Sequence, residues 1–207
     1  RVRGGLGAWW PARWRPCGGG GGPRSRGEGG LGGVGAPGGA PTSPTIRPAT
    51  VDDVPALHRL VRDLAAYERQ SHAVTATPQD LRDALFPEDG DPAVCADVAE
   101  VDGEVVGLAV WFLTFSTWTG QHGIWLEDLF VEPEHRGTGL GRMLLEGLAA
   151  RAVERGYTRV EWTVLDWNAP AIRFYRSLGA EPLEEWRTQR LHGDALARVA
   201  RRAEQRA

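Results

Sequence analysis

Apolar residues recur with two different periods along residues 44–207, and each change of period marks an element boundary. Thr45–Pro48 reads as a short strand. Thr50 followed three residues later by Asp53 has the form of an N-cap with an acidic N3 residue, opening a helix through Tyr67 whose apolar face is Leu57, Leu60, Val61 and Leu64. Residues 78–85 predict a second, short helix. Residues 94–101 and 104–115 are strand-like and flank Asp102-Gly103, the strongest local hairpin signal because both residues tolerate positive φ. A third strand over 123–131 stops at Glu132-Pro133, where proline ends ladder pairing. A loop over 135–138 leads into an amphipathic helix over 139–154, with Leu140, Leu144, Leu145 and Leu148 on its inner face. Residues 157–165 predict a strand, 168–178 a helix stopped by Gly179, 186–191 a final strand, and a last helix begins near Asp194. The order β-α-α-β-β-β-α-β-α-β-α describes one α/β domain with a mixed sheet and no internal repeat.

Residues 1–43 lack any such period. Glycine runs such as 18–22, with scattered Arg, Pro and Trp, supply no apolar face for a core, so this segment reads as a disordered Gly/Arg-rich tail and as upstream sequence that need not be native. Its Arg1, Arg3, Trp9, Trp10, Arg13, Trp14 and Arg15 also suit a nucleic-acid or membrane-surface arm, but the compositional reading is preferred. It lacks the charged start, continuous apolar centre and small-residue cleavage site of a signal peptide. At 207 residues and 42% hydrophobic, the chain suits one core, here assigned to 44–207.

Charge sharpens the partner class. The tail holds six Arg and one Glu, net +5, which leaves 18 Arg against 26 acidic residues, net −8, in the domain. An acidic domain disfavours nucleic acid and suits a cationic substrate. No apolar run approaches the roughly 18 residues that cross a bilayer, which predicts no membrane partner. Cys17 and Cys95 make at most one bridge, so neither a disulfide framework nor a metal-ligand spacing is present, and a cytoplasmic compartment is expected. His58, His72, His122, His135 and His192 are scattered without metal spacing, so no metal is expected.

Between the strand ending at Val131 and the helix opening near Gly139 lies Arg136-Gly137-Thr138-Gly139-Leu140-Gly141. Glycines let a backbone approach an anion, and the unpaired N–H groups and positive dipole end of the helix point at it. The pattern alone also fits a strand-to-helix connection without a ligand. A Walker loop needs a Lys after its last glycine and the chain has none, while the dinucleotide fingerprint needs a glycine where Arg142 stands.

Arg136-x-x-Gly139-x-Gly141 resembles the pyrophosphate loop of the GNAT acetyltransferases. Trp118, the strand Trp125-Leu126-Glu127-Asp128-Leu129-Phe130-Val131, Asp166-Trp167-Asn168, Phe174-Tyr175 and Leu178-Gly179-Ala180 are similar, in order and spacing, to the diamine (spermidine/spermine) and thialysine branch. The resemblance runs from about Ile46 to the final helix. It implies a GNAT fold: a mixed, mostly antiparallel sheet flanked by helices, with a central parallel pair that splays where acetyl-CoA lies. It further implies cofactor contacts from Leu129, Phe130, Val131, Arg136, Gly137, Thr138, Gly139, Leu140, Gly141, Arg142, Asn168, Phe174 and Tyr175.

In the same resemblance Glu127 is the base, acting through water, and Tyr175 the acid that protonates the leaving thiolate. Strand alternation sends Glu127 and Asp128 to opposite faces unless a bulge intervenes. Tyr175 shares a helix face with Ala171, Ile172 and Leu178 and so also suits a core aromatic, and Asn168 suits an N-cap as well as a pantetheine contact. Tyr67, Glu68, Trp118, Glu127, Asp128 and Trp186 make an acidic, aromatic set for a diamine, a polyamine or a thialysine-like amine. Ser116 stands where the polyamine enzymes carry an acid, which leaves the amine open. Two alternatives stand beside this reading: an acetyl-CoA-binding module without turnover, and an acetyltransferase for an aminoglycoside or a protein N-terminus. The resemblance also implies a homodimer.

Overall fold

A computed structural model describes residues 43–206. The tail, its Trp and Arg cluster, and Cys17 therefore lie outside the described residues. The chain divides into two compact units, the first ending at Thr163 and the second starting at Val164.

The first unit holds a five-stranded sheet in the order β1-β2-β3-β4-β5. The strands are β1 Thr45–Pro48, β2 Cys95–Val101, β3 Glu104–Ser116, β4 Gln121–Val131 and β5 Val160–Glu161. The first four pair antiparallel, and β4 with β5 is the parallel pair. The β2–β3 turn sits on Asp102 and Gly103 at φ 52° and 83°, the two positive values a tight hairpin turn requires.

Helix α1, Val54–Tyr67, is entered through a 3-10 turn over Val51–Asp53, and the Asp53 carboxylate accepts from both the N–H and the hydroxyl of Thr50. Arg47 of β1 adds a two-pronged bond to the same carboxylate, tying the helix start to the sheet edge. Helix α2, Pro78–Leu85, is opened by a reciprocal Thr77–Asp80 cap. Leu57, Leu60 and Leu85 meet Ala96, Val98, Leu108 and Phe130 on one face of the sheet. Helix α3, Leu140–Glu154, buries Leu140, Leu144, Leu145, Leu148 and Ala152.

Two expected strands differ from the structure. The strand expected over 157–165 is reduced to Val160–Glu161, whose pairing with β4 ends at Trp125. Beyond Trp125, β4 carries an extra residue that bends it out of line, so β5 has no straight neighbour to follow. The strand expected over 186–191 does not form: Arg187, Thr188, Gln189 and Arg190 are all exposed, so the segment has no alternating apolar face to bury. The second unit accordingly consists of α4, Ala169–Ser177, and α5, Gly193–Glu204, with non-strand chain between them. Gly179, at φ 86°, ends α4 as expected. No described helix is long and apolar enough to cross a membrane.

Candidate active site

The register of β3 against β4 slips once. Val110 pairs with Asp128 and Trp111 with Leu126, which leaves Glu127 as the extra residue of a bulge. The bulge changes which face the strand's side chains occupy. Leu126 lies opposite Trp111, which is under Arg151 of α3, whereas Asp128 and Phe130 lie opposite Val110 and Leu108 in the cluster beneath α1. Trp125 and Glu127 alternate with Ile124 and Leu126 and so share the α1 side, where Asp128 now joins them. This is the condition that the sequence left open for two consecutive carboxylates to serve one site.

Glu127 is exposed and Asp128 half-buried. The Nε1–H of Trp125 donates to Oε2 of Glu127 at 2.8 Å, which holds that carboxylate in one orientation. Burial, then the charge of Glu127, then that of Glu68 push Asp128 up to about 6. Glu68, which follows the last residue of α1, is itself raised by burial. Three acids from α1 and β4 therefore share one corner, close enough that two of them act on the third.

At the end of β4 the chain takes a 3-10 turn, Pro133–His135, and enters the glycine loop. Gly137 and Gly139 adopt φ of 78° and 96°, and a Cβ on either would meet nothing within 4 Å. Gly141 faces only Val131 Cγ2, at 4.0 Å. Thr138 turns its hydroxyl to the carbonyl of His135 at 2.6 Å. Among the described residues, no hydrogen bond to the backbone N–H groups of 137–142 occurs until Met143 N–H reaches the Gly139 carbonyl. Space and free donors coincide, which is what a diphosphate needs at a helix start. Among the described residues, β4 has no paired neighbour on its β5 side from Leu126 to Val131, and Leu129 is half-buried while Phe130 and Val131 are buried. Leu140 is buried in the core and Arg142 is exposed beside Glu146.

Arg136, an exposed residue, turns its side chain back onto the ends of β4 and α1 rather than along the loop. Its Nε–H donates to the Val131 carbonyl at 2.9 Å, and its guanidinium lies 4.8 Å from the Tyr67 ring centre and 5.3 Å from that of Phe130. Tyr67 thus meets Arg136. Trp118, 88% exposed, stands on the turn of the β3–β4 hairpin, beyond Gln121, which is itself seven residues or about 23 Å along β4 from Asp128, so this chain's own fold does not bring it to the acidic corner. Ser116, where an acid was expected for a polyamine site, accepts the Thr119 N–H and closes that turn.

In the second unit Asn168 caps α4, its Oδ1 accepting the Ala171 N–H at 3.3 Å. Phe174 and Tyr175 are half-buried neighbours with ring centres 5.2 Å apart. Trp186 is 70% exposed on non-strand chain. In the sequence Trp125 reads only as part of a strand; the signal for its bond to Glu127 is the spacing of two residues, which puts two strand side chains on one face. No cluster of three or more His, Cys, Asp or Glu close enough to hold a metal ion occurs among the described residues.

Residues 57–180 match the acetyltransferase (GNAT) family. An L-ornithine N5-acetyltransferase of Arabidopsis thaliana is 31% identical over 76% of this chain and 91% of its own length. A thialysine N-ε-acetyltransferase of Mus musculus is 34% identical over 77% of this chain and 99% of its own. Among solved structures, an integron cassette protein from the mobile metagenome of V. cholerae superposes with a TM-score of 0.64 at 27% identity, covering 77% of this chain and 98% of that one.

Proposed function

Since the chain belongs to the GNAT acetyltransferase family, in the branch of the thialysine and ornithine enzymes, we propose that it transfers the acetyl group of acetyl-CoA to a primary amine of a small cationic substrate. The observation that carries the amine half is the acidic corner of Glu68, Glu127 and Asp128 on the α1 side of β4. Carboxylates held this close favour an ammonium group, and a diamine or a lysine- or ornithine-like amino acid carries one to spare.

The coenzyme half rests on the glycine loop. The N–H groups of residues 137–142 suit the diphosphate, and the free edge of β4 at 129–131 suits the amides of the pantetheine arm. A thioester arrives already activated, so the protein's work is positioning and proton transfer. Glu127, its carboxylate oriented by Trp125, takes the proton of the ammonium through water. Glu68 and Asp128 attract the cation and its distal charge. Tyr175 gives a proton to the departing sulfur, and Asn168 and Phe174 line the arm; these three assignments rest on the resemblance alone.

The test is coenzyme A release by the full chain with acetyl-CoA and a panel of ornithine, thialysine, lysine, putrescine, spermidine, spermine and an aminoglycoside. Turnover on a small diamine or amino acid, reduced about 100-fold or more in Glu127→Gln and Tyr175→Phe, is the expected result. Binding of acetyl-CoA with no turnover on any amine overturns it in favour of a non-catalytic module.

A further inference from the structure

Helix α1 holds the segment leading to the glycine loop at both ends. At the first end, Arg59 pairs with the Glu132 carboxylate, and its other terminal nitrogen donates to the Val105 carbonyl at 2.9 Å. At the second, Tyr67 lies under the Arg136 guanidinium at 4.8 Å. Arg59 and Tyr67 are eight residues, or about 12 Å, apart on one helix. The four peptide bonds from Glu132 to Arg136 span a single 3-10 turn, so the loop emerges from a short segment gripped at its two ends.

The same residues meet the proposed amine site. Tyr67 immediately precedes Glu68, and Phe130, the second ring under Arg136, is two residues beyond Asp128. The Nε–H bond to Val131 fixes the guanidinium plane at the end of β4, where the two rings lie. A planar cation suits this better than an ammonium, because it offers a face to an aromatic ring while its edge donates a hydrogen bond.

We infer that Tyr67 and Arg136 form one positioning unit: through Arg136, Tyr67 sets the glycine loop for the coenzyme, rather than serving as a wall for the amine. The inference rests on the proposed use of acetyl-CoA. It separates two roles that the sequence cannot tell apart, since Tyr67 and Glu68 are adjacent and both lie at the end of α1.

The experiment measures acetyl-CoA binding by titration calorimetry, and KM for each substrate, in the full chain carrying Tyr67→Leu, Arg136→Lys and both together. Each single change is expected to weaken acetyl-CoA about fivefold with little change in kcat or in the KM for the amine. The double variant is expected to be no weaker than the poorer single one, because both remove the same contact. Should Tyr67→Leu fail to fold, Arg59→Gln removes the other hold, at an exposed side chain, and is expected to weaken acetyl-CoA in the same sense. A rise confined to the KM of the amine in Tyr67→Leu, or effects that multiply in the double variant, overturn the inference and leave the proposed function standing. Absence of acetyl-CoA binding in the unaltered chain overturns both.

Discussion

The indole N–H of Trp125 points at the carboxylate of Glu127, 2.8 Å away, across the one place where β4 slips against β3. Because Glu127 is the unpaired residue of that bulge, its backbone has no opposite partner in the ladder, and the indole bond restrains the side chain instead. Trp125→Phe keeps the ring and removes the donor. A neutral donor on a partly exposed carboxylate contributes about 1 kcal/mol, so kcat should fall about fivefold, with little change in melting temperature. Saturating kinetics beside a thermal melt check this; an unchanged kcat, where Glu127→Gln is inactive, would show that the bond does not orient the base.

Asp128 predicts a pH dependence with a definite sign. Its carboxyl sits at about 6, above the usual value, because burial and the charges of Glu127 and Glu68 disfavour ionisation. The folded chain therefore binds this proton more tightly than the unfolded chain. That contribution to stability is fully present below the ordinary carboxyl range and is lost as pH rises through about 6. Asp128→Asn should raise stability by about 1–2 kcal/mol at pH 8, allowing for solvent screening, and by far less at pH 4. Urea denaturation at the two pH values measures it. In kinetics, the amine KM should climb as pH drops through 6, since protonated Asp128 no longer attracts an ammonium.

These carboxylates also show how far the sequence could be read. Periodicity located α1, α3 and the hairpin on Asp102-Gly103 because each has a repeating apolar face or a turn pair with positive φ. Glu127 and Asp128 could be named, but not joined: a bulge adds one residue without altering composition, and an alternating pattern looks the same until the opposite strand supplies the register. The shortening of β5 follows from that hidden feature, because its partner bends just past Trp125. The expected strand over 186–191 failed for a different reason. Arg187, Gln189 and Arg190 interrupt that segment and give it no apolar face to bury. The resemblance likewise groups Trp118 with the acids, and only the sheet shows that it stands on the turn beyond the far end of β4.

Arg151 offers a prediction about stability apart from the site. Its guanidinium forms two bonds to Asp97, at 2.6 and 2.8 Å, and lies over Trp111, whose indole N–H also reaches Asp97. Asp97 is only 4% exposed. Arg151→Met would leave that carboxylate buried with one neutral donor, a loss of about 3 kcal/mol. Arg142→Met, which removes an exposed pair with Glu146, should cost no more than about 0.5 kcal/mol. Urea titrations of the two variants provide the comparison, and equal effects would refute the network's role in fastening α3 to β2.

The glycine loop allows backbone strain to be separated from ligand contact. At Gly139 the backbone is left-handed, φ 96°, so Gly139→Ala carries a conformational cost of about 1–2 kcal/mol even though nothing lies near the added methyl. Gly141 is different: it lies inside α3 with helical backbone, and its Cβ would touch only Val131 Cγ2, at 4.0 Å. Gly141→Ala should therefore hold or raise the melting temperature, because alanine favours a helix over glycine. If the N–H groups of 137–142 receive the diphosphate, the same methyl group stands in the ligand's path, and acetyl-CoA affinity should fall at least about tenfold. Calorimetric titration paired with a thermal melt reads both quantities from one variant. A stable Gly141→Ala chain that binds acetyl-CoA as well as the unaltered one would move the diphosphate away from this loop, whereas a stable chain that has lost the ligand would separate binding from folding at a single carbon atom.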